Sequence, residues 1–544
     1  MPKKTTVGEY LIQRLEELGV KHVFGVPGDY VLGFYDQLIE SNLKSVGTCT
    51  EAGAGFAADA YARVNGLGVC CVTYCVGGLN TVNSIAGAYA EKAPVVLISG
   101  APGMGERDRS PLLHHKVKDF QTQRDIFEKI TVAAVAIEDP NTAPSLIDDT
   151  LDACLRRKQP VYIELPRDMV GQRCLAPEKR IAKKLVSDPL VLEEALEEAS
   201  TMLRKAKRPV ILGGVEIHRY GLQDDLIKLA ETTGYPVAAT LLGKSIITET
   251  HPQYLGIYEG AMGREDVCRK VESSDCVLIL GAFMTDINLG IYTANLHLSK
   301  TINATSEQVA IRYHLYNDIK LKHFIQGLSK AKLGRKRPAP AKRKTKKVIF
   351  TAKPKAPLTI RRFFQCMDVH LDDKNIVISD IGDSLFGAAD LTVHKRTEFL
   401  SPAYYTSMGY AVPAALGAQS NKRRMRPVVF VGDGAFQMTG MELSTIAKEG
   451  LNPVIFVLNN KGYSTERFIN DGPYNDIHNW AFHKIPDLLE AGWGCEIRTE
   501  GELMDTLEVV AKKRKSFCIV NVHLDPYDRS VAMERLGKRL GERV

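Results

Sequence analysis

The sequence predicts an α/β protein built from three doubly wound, parallel-sheet domains. Two observations carry that expectation. At 544 residues the chain exceeds what one compact core accommodates, since domains run to roughly 100–200 residues. Short apolar runs of β type also alternate with longer helical patterns from end to end, the order that lays parallel strands beneath covering helices.

Taken in order, strands are expected at 22–26, 68–74, 94–99 and 160–165, then at 209–213, 236–241 and 275–280. A third set is expected at 376–379, 427–431, 453–458 and 517–522. These sets divide the chain into domains at 1–185, 190–335 and 358–544, with a basic, proline-containing linker at 336–357. The middle domain has no glycine-rich dinucleotide fingerprint and is expected to be structural. Between Lys330 and Lys355 stand 12 Lys or Arg and no acidic residue, and without them the net charge of +7 becomes −5. The basic excess is therefore one solvated segment, not a nucleic-acid face spread over the fold. Within it, Lys342–Lys347 has the composition of a localisation signal or nucleic-acid tether.

Hydrophobic residues at 44% and charged residues at 25% match a soluble globular protein. Met1 to Thr6 has no apolar signal core, and no apolar run approaches the roughly 18 residues of a membrane span, so a cytoplasmic protein is expected. The 11 cysteines form no CxxC pair, and Cys70, Cys71 and Cys75 sit in or beside a valine-rich run, which favours buried reduced thiols. Gly243-Lys244-Ser245 is half of a phosphate loop, but the position of its first glycine holds Ala238, which removes a nucleotide-binding reading.

In open parallel sheets, ligands bind outside the carboxyl ends of the strands. After the run Val428–Val431 comes Gly432-Asp433-Gly434-Ala435. Some two dozen residues later, the next run ends in Asn459-Asn460-Lys461-Gly462. Mg²⁺ seeks six oxygens, of which a diphosphate supplies only some. Asp433, the Asn460 side-chain carbonyl and the backbone carbonyl of Gly462 can supply the rest. Gly432 and Gly434 allow close backbone approach to phosphate oxygens.

This spacing resembles the signature of thiamin-diphosphate enzymes. Ala435 stands where decarboxylases of that group often carry serine. The resemblance implies a pyrimidine-binding first domain, a middle domain and a diphosphate-binding last domain, with thiamin diphosphate and Mg²⁺ as cofactors. It extends cofactor contacts to Asp383, Ser384, Thr406 and Tyr463 and makes Met408 the apolar wedge beneath the bent cofactor. Alone, Met408 would read as core packing. Glu51, in Thr50-Glu51-Ala52-Gly53-Ala54-Gly55, would alone read as a charge at a helix start. The resemblance makes it the carboxyl group that meets the cofactor pyrimidine. It also implies at least a dimer with active sites shared between subunits, and commonly a homotetramer.

Three further features point to one group within that family. Asp29 follows an early strand in Val26-Pro27-Gly28-Asp29-Tyr30, His114 and His115 are adjacent, and Glu466 lies just past the metal loop. Proton donors and acceptors of these types suit protonation of a carbanion equivalent and release of an aldehyde. Together they resemble pyruvate and indolepyruvate decarboxylases, which implies a lyase that converts 2-oxo acids to CO₂ and the aldehyde one carbon shorter. In that reading Glu466 lies near the departing carboxylate, and Asp29 with the histidines handles protons.

For the substrate pocket, the resemblance points to Ile381, Leu385 and Phe386, with Thr465 and Ile469 beyond the metal loop. Leu385 replaces a tryptophan, and Thr465 an isoleucine or valine, of pyruvate-selective relatives. Branched-chain or aromatic 2-oxo acids are therefore expected, with broad specificity. The alternatives are a pyruvate decarboxylase and a carboligase of the acetolactate synthase type.

Overall fold

The computed structural model describes residues 4–108, 110–177, 186–334, 350–394, 398–422 and 424–535. Residues 335–349, which include Lys342–Lys347 and most of the expected linker, lie outside the described residues.

The N-terminal part contains β1 (Lys4–Thr6), β2 (His22–Val26), β3 (Lys44–Gly47), β4 (Gly68–Val72), β5 (Val95–Ala101), β6 (Ala134–Ala136), β7 (Val161–Pro166) and β8 (Arg173–Leu175). Six of them form a parallel sheet of order β3-β2-β4-β5-β7-β6, while β1 and β8 pair antiparallel as a small clasp. Strands β4, β5 and β7 are buried on both faces, which is why they read as continuous apolar runs instead of alternating ones.

The middle sheet comprises β9 (Pro209–Gly213), β10 (Val237–Ala239), β11 (Tyr254–Ile257), β12 (Cys276–Leu280), β13 (Thr301–Ala304), β14 (Gln308–Ile311) and β15 (His314–Asn317), in the order β11-β10-β9-β12-β13-β14-β15. Its first five members are parallel, but β14 and β15 run antiparallel, so this sheet is mixed at one edge. Short connections of three and two residues separate these last strands, and such links suit hairpins, not crossovers.

The C-terminal sheet comprises β16 (Asn375–Ser379), β17 (Phe399–Leu400), β18 (Arg426–Gly432), β19 (Val454–Asn459), β20 (Trp493–Ile497) and β21 (Cys518–His523). It is parallel throughout, in the order β17-β16-β18-β19-β21-β20.

Alternation along the strands separates the cores. In the N-terminal sheet Val23, Val69 and Val96 enter one cluster, while Phe24, Cys70 and Leu97 enter another. That second cluster continues into Ile376, Val429 and Ile455 of the C-terminal sheet, through helices Glu51–Asn65 and Ala411–Asn421. The two helices meet at small residues. A Cβ on Gly417 would lie 1.9 Å from the Ala57 carbonyl oxygen, so only glycine fits this crossing.

Buried charges tie the three parts together. The Arg63 guanidinium forms a two-point pair with Asp59, lies 2.8 Å from Glu91 and donates to the Ser401 carbonyl at 3.0 Å. From the middle part, Lys244 donates to the Ala389 and Leu391 carbonyls at 2.9 and 2.7 Å, and Lys92 reaches Glu216 at 2.7 Å. No two of the 11 cysteines form a disulfide. Among the described residues, no helix is long and apolar enough to cross a membrane.

Candidate active site

In the C-terminal sheet the chain leaves β16 toward β17 on one side and returns to β18 on the other. This reversal opens a crevice at the carboxyl ends of β16 and β18, the place where such sheets bind ligands. A cavity of about 840 Å³ lies there. Its walls include Asp383 and Ser384 after β16, Gly432, Asp433, Gly434 and Ala435 after β18, and Asn460, Gly462, Tyr463 and Glu466 after β19.

Adjacent registers explain the convergence, because Gly432 pairs with Leu458 and the next turns project into the same space. Asp433 is 1% exposed, accepts hydrogen bonds from the Gly434 and Gly462 N–H groups at 2.8 and 3.1 Å, and is pushed up to about 6 by burial. A carboxylate in that setting calls for a cation. The Asn460 Oδ1 atom is buried without a hydrogen-bond partner, which is costly unless something binds it. Together with the Gly462 carbonyl these oxygens fit a hard cation such as Mg²⁺. Gly462 has φ +149°, and a Cβ there would lie 2.0 Å from the Asn475 carbonyl, so this loop needs glycine. At Gly434 a Cβ would press against the Tyr463 ring at 2.4 Å, which fixes that ring beside the motif.

Thr406 and Met408 line the opposite wall. Thr406 is a non-glycine residue at φ +58°, a strained conformation that persists only where surroundings enforce it. The enforcement is visible: Glu91 accepts the Tyr404 and Tyr405 N–H groups at 2.7 and 2.9 Å, and Asp380 accepts those of Gly409 and Ala411 at 3.2 and 2.9 Å. Burial pushes Asp380 up to about 6. Neither anchor is legible in the sequence, because a carboxylate that holds backbone carries no motif.

Of the expected substrate residues, Ile381, Phe386 and Thr465 line the cavity. Leu385 and Ile469 are not among its lining residues: Leu385 is fully buried in the core behind the helix Asp383–Ala388, and Ile469 is 72% exposed. Helical geometry separates Leu385 from its neighbours, since adjacent residues point about 100° apart. The wall also includes Ile287, Ile360, Asn470 and Tyr474, which come from distant elements and have no sequence signal of their own. Ile287 belongs to the middle part, so that part contributes to the cavity as well as to the scaffold.

Glu51, Asp29, His114 and His115 are not among the residues that line this cavity. Glu51 opens the helix Glu51–Asn65, whose Thr50 side chain caps the Gly53 N–H, and Glu51 accepts from the Asn80 amide at 2.7 Å. The Glu442 carboxylate, 1% exposed, accepts the Cys49 and Thr50 N–H groups at 3.1 Å each and so fixes that helix start. Asp29 lies beyond β2 with its carboxylate 2.7 Å from His114 Nε2. The His114 ring stacks on Tyr30 at 4.8 Å, and the His115 ring meets His114 edge-on at 4.8 Å. One chain thus carries two separate constellations, one at the carboxyl end of each parallel sheet.

Comparison with known proteins places the chain in a family. Family models for thiamine pyrophosphate enzymes match three stretches: the N-terminal TPP binding domain over residues 5–128, the central domain over 196–328 and the C-terminal TPP binding domain over 380–522. The chain is 35% identical over 526 residues to an indole-3-pyruvate decarboxylase of Azospirillum brasilense, with 94% of each sequence covered. It is 33% identical over 562 residues to a probable pyruvate decarboxylase of Schizosaccharomyces pombe, covering 99% of the chain and 97% of the relative. To pyruvate decarboxylase 3 of Arabidopsis thaliana it is 32% identical over 559 residues, covering 98% and 93%. The oxygen-lined crevice and these similarities over nearly the whole length agree: the chain belongs to the 2-oxo acid decarboxylases that depend on thiamine pyrophosphate, or thiamin diphosphate.

Proposed function

We propose that this decarboxylase acts broadly on 2-oxo acids, with a preference for branched-chain or aromatic side chains. The observation that carries this reading is the apolar wall of Ile287, Ile360, Ile381 and Phe386 around the short side chain of Thr465, in a cavity of about 840 Å³ that also takes the cofactor. Walls of that kind favour bulk and apolarity, and each additional methylene contributes only about 1–3 kcal/mol to discrimination. Similarity to an indole-3-pyruvate decarboxylase supports the aromatic end of the range, and similarity to pyruvate decarboxylases the small end.

We assign the metal to Asp433, Asn460 and the Gly462 carbonyl, with Met408 as the wedge that bends the cofactor. When bound, thiamin diphosphate supplies a carbon nucleophile for the substrate ketone and an electron sink for the pair left by CO₂. Glu466 faces the departing carboxylate, and the apolar walls keep water from stabilising its charge. Asp29 holds His114 by their 2.7 Å contact, and the histidine pair delivers and removes the protons needed for aldehyde release.

Because Glu51, Asp29 and the histidines stand apart from the cavity of their own chain, we propose that a second copy brings them to it, in a dimer or a pair of dimers. In this arrangement residues 1–185 of one chain hold the pyrimidine end and residues 358–544 of the other hold the diphosphate.

An aldehyde-release assay across pyruvate, 2-oxoisovalerate, phenylpyruvate and indolepyruvate, under saturating cofactor, tests the substrate reading. The expected result is a higher kcat/KM for at least one of the longer acids than for pyruvate. Turnover of pyruvate far above every longer acid overturns the preference and leaves a pyruvate decarboxylase. Acetolactate-type products in place of aldehyde overturn the decarboxylase assignment in favour of a carboligase.

A further inference from the structure

Asp29, His114 and His115 present one carboxylate oxygen and two imidazole nitrogens that all lie within 4.8 Å of one another. The His115 Nδ1 atom is buried without a hydrogen-bond partner, and the residue is held at φ +67°, where few non-glycine residues rest. On its other side the His114 ring places Nδ1 3.5 Å from the Tyr30 hydroxyl. A partner on the second nitrogen is what fixes the tautomer of a metal-binding histidine. The side chains of His114 and Asp29 are 58% and 43% exposed in the single chain, and in the shared site proposed above an ion reaches them by the path that admits the substrate.

These donors differ in kind from the oxygens around Asp433. Mg²⁺ selects oxygen ligands, whereas imidazole with carboxylate suits zinc and its neighbours. A tetrahedral zinc ion with bonds of about 2.0–2.2 Å spaces its donors about 3.3–3.5 Å apart. The 2.7 Å contact between Asp29 and His114 therefore needs to open by less than about 1 Å, while donors as far apart as 4.8 Å need to close by a little more than about 1 Å.

We propose that Asp29, His114 and His115 form a binding site for a borderline divalent cation, zinc foremost, whose occupation reversibly inhibits the enzyme. Binding requires neutral imidazoles and occupies the lone pairs that would otherwise carry protons. The ion thus competes with the hydrogen bond that orients His114, and excess Mg²⁺ does not displace it. The binding part stands on the geometry of the three donors. The inhibition rests on the proton-carrying role proposed above.

Co²⁺ is the probe, added to enzyme saturated with thiamin diphosphate and Mg²⁺. Four-coordinate Co²⁺ on nitrogen and oxygen ligands absorbs visible light strongly, whereas six-coordinate Co²⁺ on oxygens absorbs weakly, so exchange into the Mg²⁺ site is distinguishable. The expected result is an intense band that titrates with one ion per chain, is abolished by stoichiometric Zn²⁺, and accompanies a loss of activity of ten-fold or more that added Mg²⁺ does not restore. Asp29→Asn and His114→Gln, each checked for retained cofactor binding, are expected to weaken the Co²⁺ band at least ten-fold. Absence of an intense band, or its persistence at full strength in both variants, overturns the site without touching the decarboxylase reading. A band that appears without loss of turnover overturns the inhibition and, with it, the catalytic assignment of the histidines.

Discussion

Glu259, just past β11, is 2% exposed, and its Oε2 atom has no hydrogen-bond partner. Burial first, and Asp390 second, push its carboxyl group from 4.5 up to about 8, against the opposing pull of Arg535 and Lys244. The folded protein therefore holds this proton more tightly than the unfolded chain. Stability contributed by the protonated group is complete below about pH 4.5, declines as pH rises toward 8, and is lost above it. At about 1.4 kcal/mol per pH unit, the interval gives an upper bound of about 5 kcal/mol, and partial access of water reduces the expected effect to about 2–3 kcal/mol. Glu259→Gln preserves the shape and removes the charge. Thermal midpoints of the cofactor-loaded enzyme, measured from pH 5 to 9, should coincide for the two proteins at the acid end. At pH 9 the variant should unfold at the higher temperature. A difference that stays constant across this range, or a variant that is less stable at pH 9, refutes the argument.

Arg63→Met removes the guanidinium paired with the buried Asp59 and Glu91 and leaves them only the neighbouring Arg219, and breaking such a network should cost about 3–5 kcal/mol. Differential scanning fluorimetry should show a clearly lower midpoint, and a change below about 1 °C would rule out the ionic account. Asn460→Ala removes the unpartnered oxygen that we assign to the metal and should weaken Mg²⁺ at least ten-fold in calorimetric titration with thiamin diphosphate present; unchanged affinity would dismiss Asn460 as a ligand. The Glu51 carboxylate accepts from the Asn80 amide at 2.7 Å, a contact that glutamine can keep through its own carbonyl, so Glu51→Gln should leave the melting temperature intact while kcat falls about 10²–10⁴-fold in the aldehyde assay. Retention of most of the activity would remove Glu51 from the chemistry.

Strands at 22–26 and 209–213 are legible because a short apolar run bounded by turn residues, in an otherwise mixed chain, has little use except to be buried in a sheet. Strands β3, β14, β15 and β20 leave no such trace, since they are short or only partly buried and lack a continuous apolar run, and β6, β11, β13 and β17 are only two to four residues long. The convergence of Asp433 and Asn460 on one cavity is legible on different grounds: each stands just past a strand end in a pattern that fixes residue type and spacing together, and such a pattern survives in one dimension. Pocket walls have no such constraint. Leu385 follows Ser384 directly, yet one turns into the core and the other toward the cavity, a choice that depends on helix phase at a boundary. Ile287, Asn470 and Tyr474 reach the cavity only through packing of separate elements, and the carboxylates of Glu91, Asp380 and Glu442 anchor backbone, which any residue offers.

The crossing of the helices at Gly417 has a mechanical consequence. With a backbone oxygen pressed against the place where a side chain would begin, neither helix can roll over the other without collision, and interiors packed this tightly transmit force instead of absorbing it. The N-terminal and C-terminal sheets of one chain should consequently travel as a single rigid piece, and whatever admits and discharges reactants is left to the short segments draped over the strand ends.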